Sequence, residues 1–283
     1  FFLVLFIYLH IFYHLKSSND LEVYELSNLS KERLEEICDL RQPLTFYLDI
    51  DNFDKLNKEN IVSNYSSFDI KLRDTSIKTE SELFLPVPLK KGLTVLSEDK
   101  NEKYISENNR DFLEETSLIK ILKANDGFLR PTMMAHSNYD YIMGSKGSIT
   151  PFKYDVNYRN FFVVLKGSIQ VKLTPPKSKK YLYTINDYDN FEFRSPINPW
   201  NVQEDYKNDF DKIKCMDITL DAGKLLFIPA YWWYTFKFED SDSVILNFRY
   251  RTYMNIAAIT PQLFISFLQK QNIKHDIIQK IST

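Results

Sequence analysis

A succession of short β-forming runs through the second half of the chain limits its possible folds more than any other feature. The runs are Tyr139 to Met143, Ser148 to Tyr154, Phe161 to Leu165, Ser168 to Leu173, Cys215 to Leu220, Lys224 to Ile228, Trp233 to Phe238 and Val244 to Tyr250. Turn residues separate most of them, and strands this short at this spacing indicate a sandwich or barrel. The stretch from Pro175 to Lys214, with Trp200 and a helical piece near Tyr206 to Phe210, reads as an insertion into that barrel.

The remainder of the chain has a different texture. Residues 19–138 predict helical and strand elements that pack on the barrel. Ser30 is placed to cap a helix from Lys31 to Leu40, and Leu44 to Ile50 is a β-like run. Asp51 to Ser67 predicts mixed helix and loop. Phe68 to Leu96 predicts strand-like pieces broken by Pro86, Pro88 and Gly92, and Arg110 to Lys123 predicts a helix. Residues 255–283 predict C-terminal helix broken by Pro261. With 283 residues, 44% hydrophobic and only 6 Gly, the chain has the makings of a folded globular body. A net charge of −2 and no concentrated Lys/Arg stripe exclude nucleic acid as an expected partner. Cys38 and Cys215 are expected as reduced thiols, and the N-x-S sequons at Asn28 and Asn64 carry little information.

Phe1 to Leu15 is apolar except for His10 and His14, and residues 1–18 predict a truncated membrane-anchor helix of transmembrane type. Fifteen helical residues span about 22 Å, short of the roughly 30 Å hydrocarbon core. The rival readings are a signal-peptide segment, which lacks a small-residue cleavage site, and a buried helix, which would show a polar face. His10 and His14 share a helical face at a spacing that metals use, but their apolar setting points to a packing or interfacial role.

Two segments carry chemical information. The first is Gly147-Ser-Ile-Thr150-Pro151-Phe-Lys153-Tyr154-Asp155, followed by Asn160-Phe-Phe and Lys166-Gly167. The second is Gly223-Lys-Leu-Leu-Phe-Ile-Pro229-Ala-Tyr-Trp232-Trp233-Tyr234, followed by Asn247-Phe-Arg-Tyr250. Together they resemble the JmjC-like cupin family of iron(II)- and 2-oxoglutarate-dependent hydroxylases, over about Tyr139 to Tyr253. The resemblance implies a mainly β fold with flanking helices, a double-stranded β-helix (cupin or jelly-roll) barrel. It also implies a metal site in which His-x-Asp on one strand and a distant His form a facial triad.

At those positions this chain has Lys153, Asp155 and Tyr234. A protonated ammonium cannot ligate iron, and a phenol is a poor replacement for imidazole. The position of the family's co-substrate lysine is Ile169, while the pocket positions Thr150, Asn160 and Asn247 stay polar. The expectation is therefore no metal, no cofactor and no catalytic residue. Lys153 is expected to supply the charge that iron would have supplied, in an ion pair with Asp155 and with the Tyr234 hydroxyl nearby. Thr150, Asn160 and Asn247 read either as pocket lining or as partners for buried backbone groups. The Trp232-Trp233 pair reads either as packing on opposite strand faces or as an aromatic rim for a sugar or peptide. His136 and His275, the remaining histidines, read as non-ligands.

The leading expectation is a non-catalytic, membrane-anchored cupin-like protein with a structural or interaction role. Tyr158-Arg159-Asn160-Phe161, Ser195-Pro196-Ile-Asn-Pro199-Trp200 and Tyr250-Arg251-Thr252-Tyr253 resemble cupin-like proteins of giant DNA viruses. That resemblance implies a virion or minor capsid component, partnered by a membrane through the N-terminal helix and by capsid proteins. The alternatives are a hydroxylase with unconventional ligands and a cupin that binds a small molecule, glycan or peptide.

Overall fold

The computed structural model describes residues 1–27, 29–49, 51–77 and 83–281, so Asn28 and Ile50 lie outside the described residues. Its strands are β1 (Tyr24–Glu25), β2 (Leu44–Tyr47), β3 (Asp69–Asp74), β4 (Leu85–Pro88), β5 (Tyr104–Ser106), β6 (Met134–Gly144), β7 (Phe152–Tyr154), β8 (Arg159–Lys166), β9 (Ser168–Thr174), β10 (Ile185–Asp187), β11 (Glu192–Ser195), β12 (Met216–Asp221), β13 (Lys224–Phe227), β14 (Trp233–Phe238) and β15 (Val244–Thr252). They form two sheets. The larger runs β1-β2-β13-β8-β15-β6-β5-β3-β4, and the smaller runs β10-β11-β7-β14-β9-β12.

Alternation along the strands decides what each face meets. Phe162 and Val164 of β8 face inward, clustering with Val171 and Leu173 of β9 and Phe236 and Phe238 of β14. Phe161, Val163 and Leu165 face outward and pack with helical residues such as Ile37, Cys38 and Leu113. On the outer face of the smaller sheet, Phe152, Tyr154, Phe193 and Trp233 form a third cluster with Leu182 and Ile259. The result is a mainly β fold with flanking helices. The turn from β8 into β9 needs Gly167, whose φ is +76° and where an added Cβ would lie 2.9 Å from the Ser243 Cα.

Helix α1 (Phe2–Leu15) forms as expected but does not meet the transmembrane expectation. Its 14 residues reach about 21 Å. No helix among the described residues is long and apolar enough to cross a membrane. The helix is rooted at its C-terminal end: exposure falls from 91% at Phe1 to 8% at His14. His14 Nδ1 contacts the His10 carbonyl at 2.8 Å and Nε2 meets the Thr252 hydroxyl at 3.2 Å, so the expected packing role is the one observed. Helix α2 (Lys31–Asp39) starts as expected, with the Ser30 hydroxyl accepting from the Arg33 N–H.

Several segments differ from expectation. The strand expected over Ser148 to Tyr154 forms only at Phe152–Tyr154, and the one expected from Tyr139 begins at Met134. Leu89–Glu98 is helix, because Gly92 does not break the chain there. It lets the helix approach β3 and β4 so closely that a Cβ would lie 2.6 Å from the Ile70 Cδ1. The helix expected over Arg110 to Lys123 divides into Arg110–Glu115 and Ile119–Asn125, with Ser117 between them at φ +60°. The insertion 175–214 extends the smaller sheet, since its β11 pairs with β7 and carries β10 beside it. At the C-terminus, helices Tyr253–Ala258 and Thr260–Ile281 abut, and Pro261 occupies the first turn of the second, where its missing N–H costs no hydrogen bond.

Candidate functional site

β7 and β14 are antiparallel neighbours, and Lys153 lies directly opposite Tyr234. With Phe152 and Tyr154 turned outward, the two-residue period turns Lys153 and Asp155 inward. Both line one cavity together with Thr150, Tyr234 and Asn247. The site positions read from the sequence thus converge, with two exceptions. Asn160 touches Asp155 without lining the cavity itself. Ile169 is fully buried in the apolar cluster between the sheets and does not line the cavity.

The expected Lys153–Asp155 ion pair does not form. Lys153 Nζ instead donates to Glu107 Oε2 at 2.7 Å and to Glu192 Oε2 at 3.3 Å. Glu107 follows β5 and Glu192 opens β11. Arg73 of β3 completes the group, meeting Glu192 through two hydrogen bonds of 3.1 Å and Glu107 through Nη1. The physical reason is charge balance: two buried carboxylates need a second cation beside Arg73, and Lys153 is the ammonium within reach. Burial alone would raise both carboxyls and lower the lysine. Mutual attraction outweighs it, so Glu107 and Glu192 lie below the usual carboxylate range and Lys153 above that of a free lysine.

Asp155 is satisfied differently. Its Oδ2 accepts from the Tyr234 hydroxyl at 2.6 Å and from Asn160 Nδ2 at 2.8 Å. Burial and the Asp155 charge hold the Tyr234 phenol well above its ordinary range, so it acts as a donor. Polar contacts continue through the barrel. Asn247 Nδ2 donates to Asn160 Oδ1 at 2.7 Å and to the Phe161 carbonyl at 3.0 Å. Arg249 donates to Asn247 through Nε and to Asp140 at 3.1 Å through Nη2. Thr150 takes the backbone-satisfying role, its hydroxyl accepting from the Phe236 N–H at 2.8 Å. Asn247 both lines the cavity and ties the backbone at Phe161, while the Asn160 side chain links Asp155 to Asn247.

Arg251 also acts on Asp155 electrostatically and stacks 5.0 Å from the Phe191 ring; burial lowers its guanidinium to about 10. Around the cavity, Arg73, Lys153, Arg249 and Arg251 therefore balance Glu107, Glu192, Asp155 and Asp140. The free volume between them is only ≈ 20 Å³, room for about one water. Glu107, Glu192, Arg73 and the two β15 arginines were not singled out from the sequence. For Arg249 and Arg251 the signal was there, in the alternation Asn247-Phe-Arg-Tyr-Arg251 on one strand.

These residues do not fit an iron(II) ion. The ammonium is held by two carboxylates, the phenol stays protonated, and the one carboxylate in register already accepts two hydrogen bonds. Among the described residues no group of three or more His, Cys, Asp or Glu side chains is arranged to hold a metal. His136 is exposed on β6 opposite Arg251, away from the cavity. Trp232 and Trp233 are both fully buried, one in the interior cluster and one in the outer cluster, as packing on opposite faces requires. No aromatic rim forms from them.

The family model for the cupin-like domain matches residues 51–255, most of the chain and all of the cavity. The chain belongs to the cupin-like domain family. This cupin-like domain is 30% identical over 138 residues to HSPB1-associated protein 1 of Homo sapiens, covering 48% of the chain and 28% of that protein. It is 30% identical over 95 residues to JmjC domain-containing protein D of Dictyostelium discoideum, covering 34% and 21%. It is 26% identical over 178 residues to lysine-specific demethylase JMJ31 of Arabidopsis thaliana, covering 61% and 31%. The cupin-like chain thus spans less than a third of the length of these relatives.

Proposed function

We propose that this cupin-like domain is non-catalytic and serves as a structural or interaction module, attached to a membrane through α1. The observation that carries the reading is the Arg73–Glu107–Lys153–Glu192 cluster. It fills, with the chain's own opposite charges, the place where the resemblance puts an iron triad. A site whose charges are already balanced and whose donors are already engaged offers no free ligand set to a cation, and its ≈ 20 Å³ is too small for a co-substrate. The same ≈ 20 Å³ argues against a small-molecule, glycan or peptide ligand in that cavity. Membrane attachment is supported by α1 and the residue before it: Phe1, Phe2, Leu3 and Val4 are each at least 70% exposed. At about 21 Å the residues present account for entry into a bilayer and not for crossing one.

The rival enzyme reading makes a clear demand. Purified protein given iron(II), oxygen and 2-oxoglutarate is expected to form no more succinate than a protein-free control. Succinate production that disappears in Asp155→Ala would establish a hydroxylase with unconventional ligands.

A further inference from the structure

The two ends of the 175–214 insertion meet in a second pocket, of ≈ 360 Å³, that the sequence did not announce. Lys177 and Lys180 come from one end, and Lys212 and Lys214 from the other. All four are exposed, while half-buried Leu21 and Ile213 give the pocket apolar walls. Lys212 is paired with Asp209 at 2.7 Å. Lys177, Lys180 and Lys214 have no carboxylate within salt-bridge distance among the described residues. In a chain of net charge −2, this gathers at one pocket three exposed ammonium groups with no ion-pair partner among the described residues.

Its position gives it meaning. The Lys177 N–H donates to Asn19 Oδ1 at 2.8 Å. Asn19 is four residues beyond Leu15, the last residue of α1, so no more than about 14 Å of chain separates the helix root from the residue that holds the Lys177 backbone. An apolar helix whose C-terminal part packs on Thr252, Tyr253 and Met254 and whose first residues stay exposed, with basic side chains near its root, presents hydrocarbon to acyl chains and ammonium groups to phosphates. We propose that this lysine-rimmed pocket binds the anionic headgroups of a phospholipid bilayer, a proposal that rests on the reading that α1 enters a membrane. The apolar walls suit an amphiphile better than a fully hydrated polyanion, which sets the bilayer ahead of RNA.

The test is sedimentation of the full chain with two kinds of vesicle, phosphatidylcholine alone and phosphatidylcholine mixed with phosphatidylserine. A Lys177→Gln/Lys180→Gln/Lys214→Gln variant, altered only at exposed side chains, is run in parallel. Wild type and variant are expected to bind neutral vesicles equally. Phosphatidylserine is expected to strengthen wild-type binding by about 10-fold or more, in a salt-sensitive way, and to do little for the variant. Equal binding to both vesicle types would overturn the headgroup proposal and leave α1 insertion standing. Failure to bind either vesicle would overturn both. Tighter, lysine-dependent binding to single-stranded RNA than to the anionic vesicles would reassign the pocket to nucleic acid.

Discussion

Lys153 is the residue on which the site turns. Its ammonium neutralises two carboxylates that are themselves 3% and 7% exposed, so removing it leaves Glu107 and Glu192 to share Arg73. Lys153→Ala is expected to cost about 3–5 kcal/mol in urea unfolding, the usual result of breaking a buried ion pair on one side. A loss below about 1 kcal/mol would mean the cluster is well hydrated. The pH dependence follows from the same contacts. Glu107 and Glu192 are held below their ordinary 4.5, so their contribution is complete above that value and is lost as pH falls through the lowered one. Lys153 lies above its ordinary 10.5, so its contribution is complete below that value and is lost only as pH rises through the raised one. The stability gap between wild type and Glu192→Gln should stay constant from about pH 6 to 9 and close in acid. A gap that widens below pH 4.5 would contradict the assignment. Lys153, Asp155 and Tyr234 were legible as a group because strand alternation and motif spacing are local. The partners of Lys153 were not, since they lie 46 and 39 residues away and only the tertiary fold brings them in.

The elements divide along the same line between local and long-range information. β14 begins and ends where its apolar alternation does, and β8, β9 and β15 differ from their expected limits by no more than two residues. Periodicity was weak in short strands: β10 and β11 have three and four residues, inside a polar stretch, and owe their strand form to pairing, β11 with β7 and β10 with β11. Gly92 misled for a related reason. A glycine that admits a neighbouring strand looks, in sequence, like one that ends an element. Gly167, by contrast, works through its backbone conformation. Gly167→Ala is expected to lower stability by about 1–3 kcal/mol, through the positive φ and the approach of Ser243. Thermal unfolding checks this, and an unchanged midpoint would show that the β8–β9 turn relaxes without cost.

At the scale of the molecule, a β sandwich or barrel with flanking helices was readable from the strand count and spacing, and the two sheets and the cupin-like family model agree with it; which sheet carries the helices was not. The N-terminal helix was readable as apolar, yet its length within the described residues does not support a span. The charge pattern was readable only as a total. A net −2 conceals a balanced internal set of eight charges around the cavity and a lysine pocket at the surface. The central claim is that the chain's own charges stand where a metal would. Its most direct test is anaerobic titration of the purified protein with iron(II), counting the metal retained per chain after desalting. Retention far below one iron per chain is predicted, unchanged in Asp155→Ala. One iron per chain, lost in that variant, would contradict it.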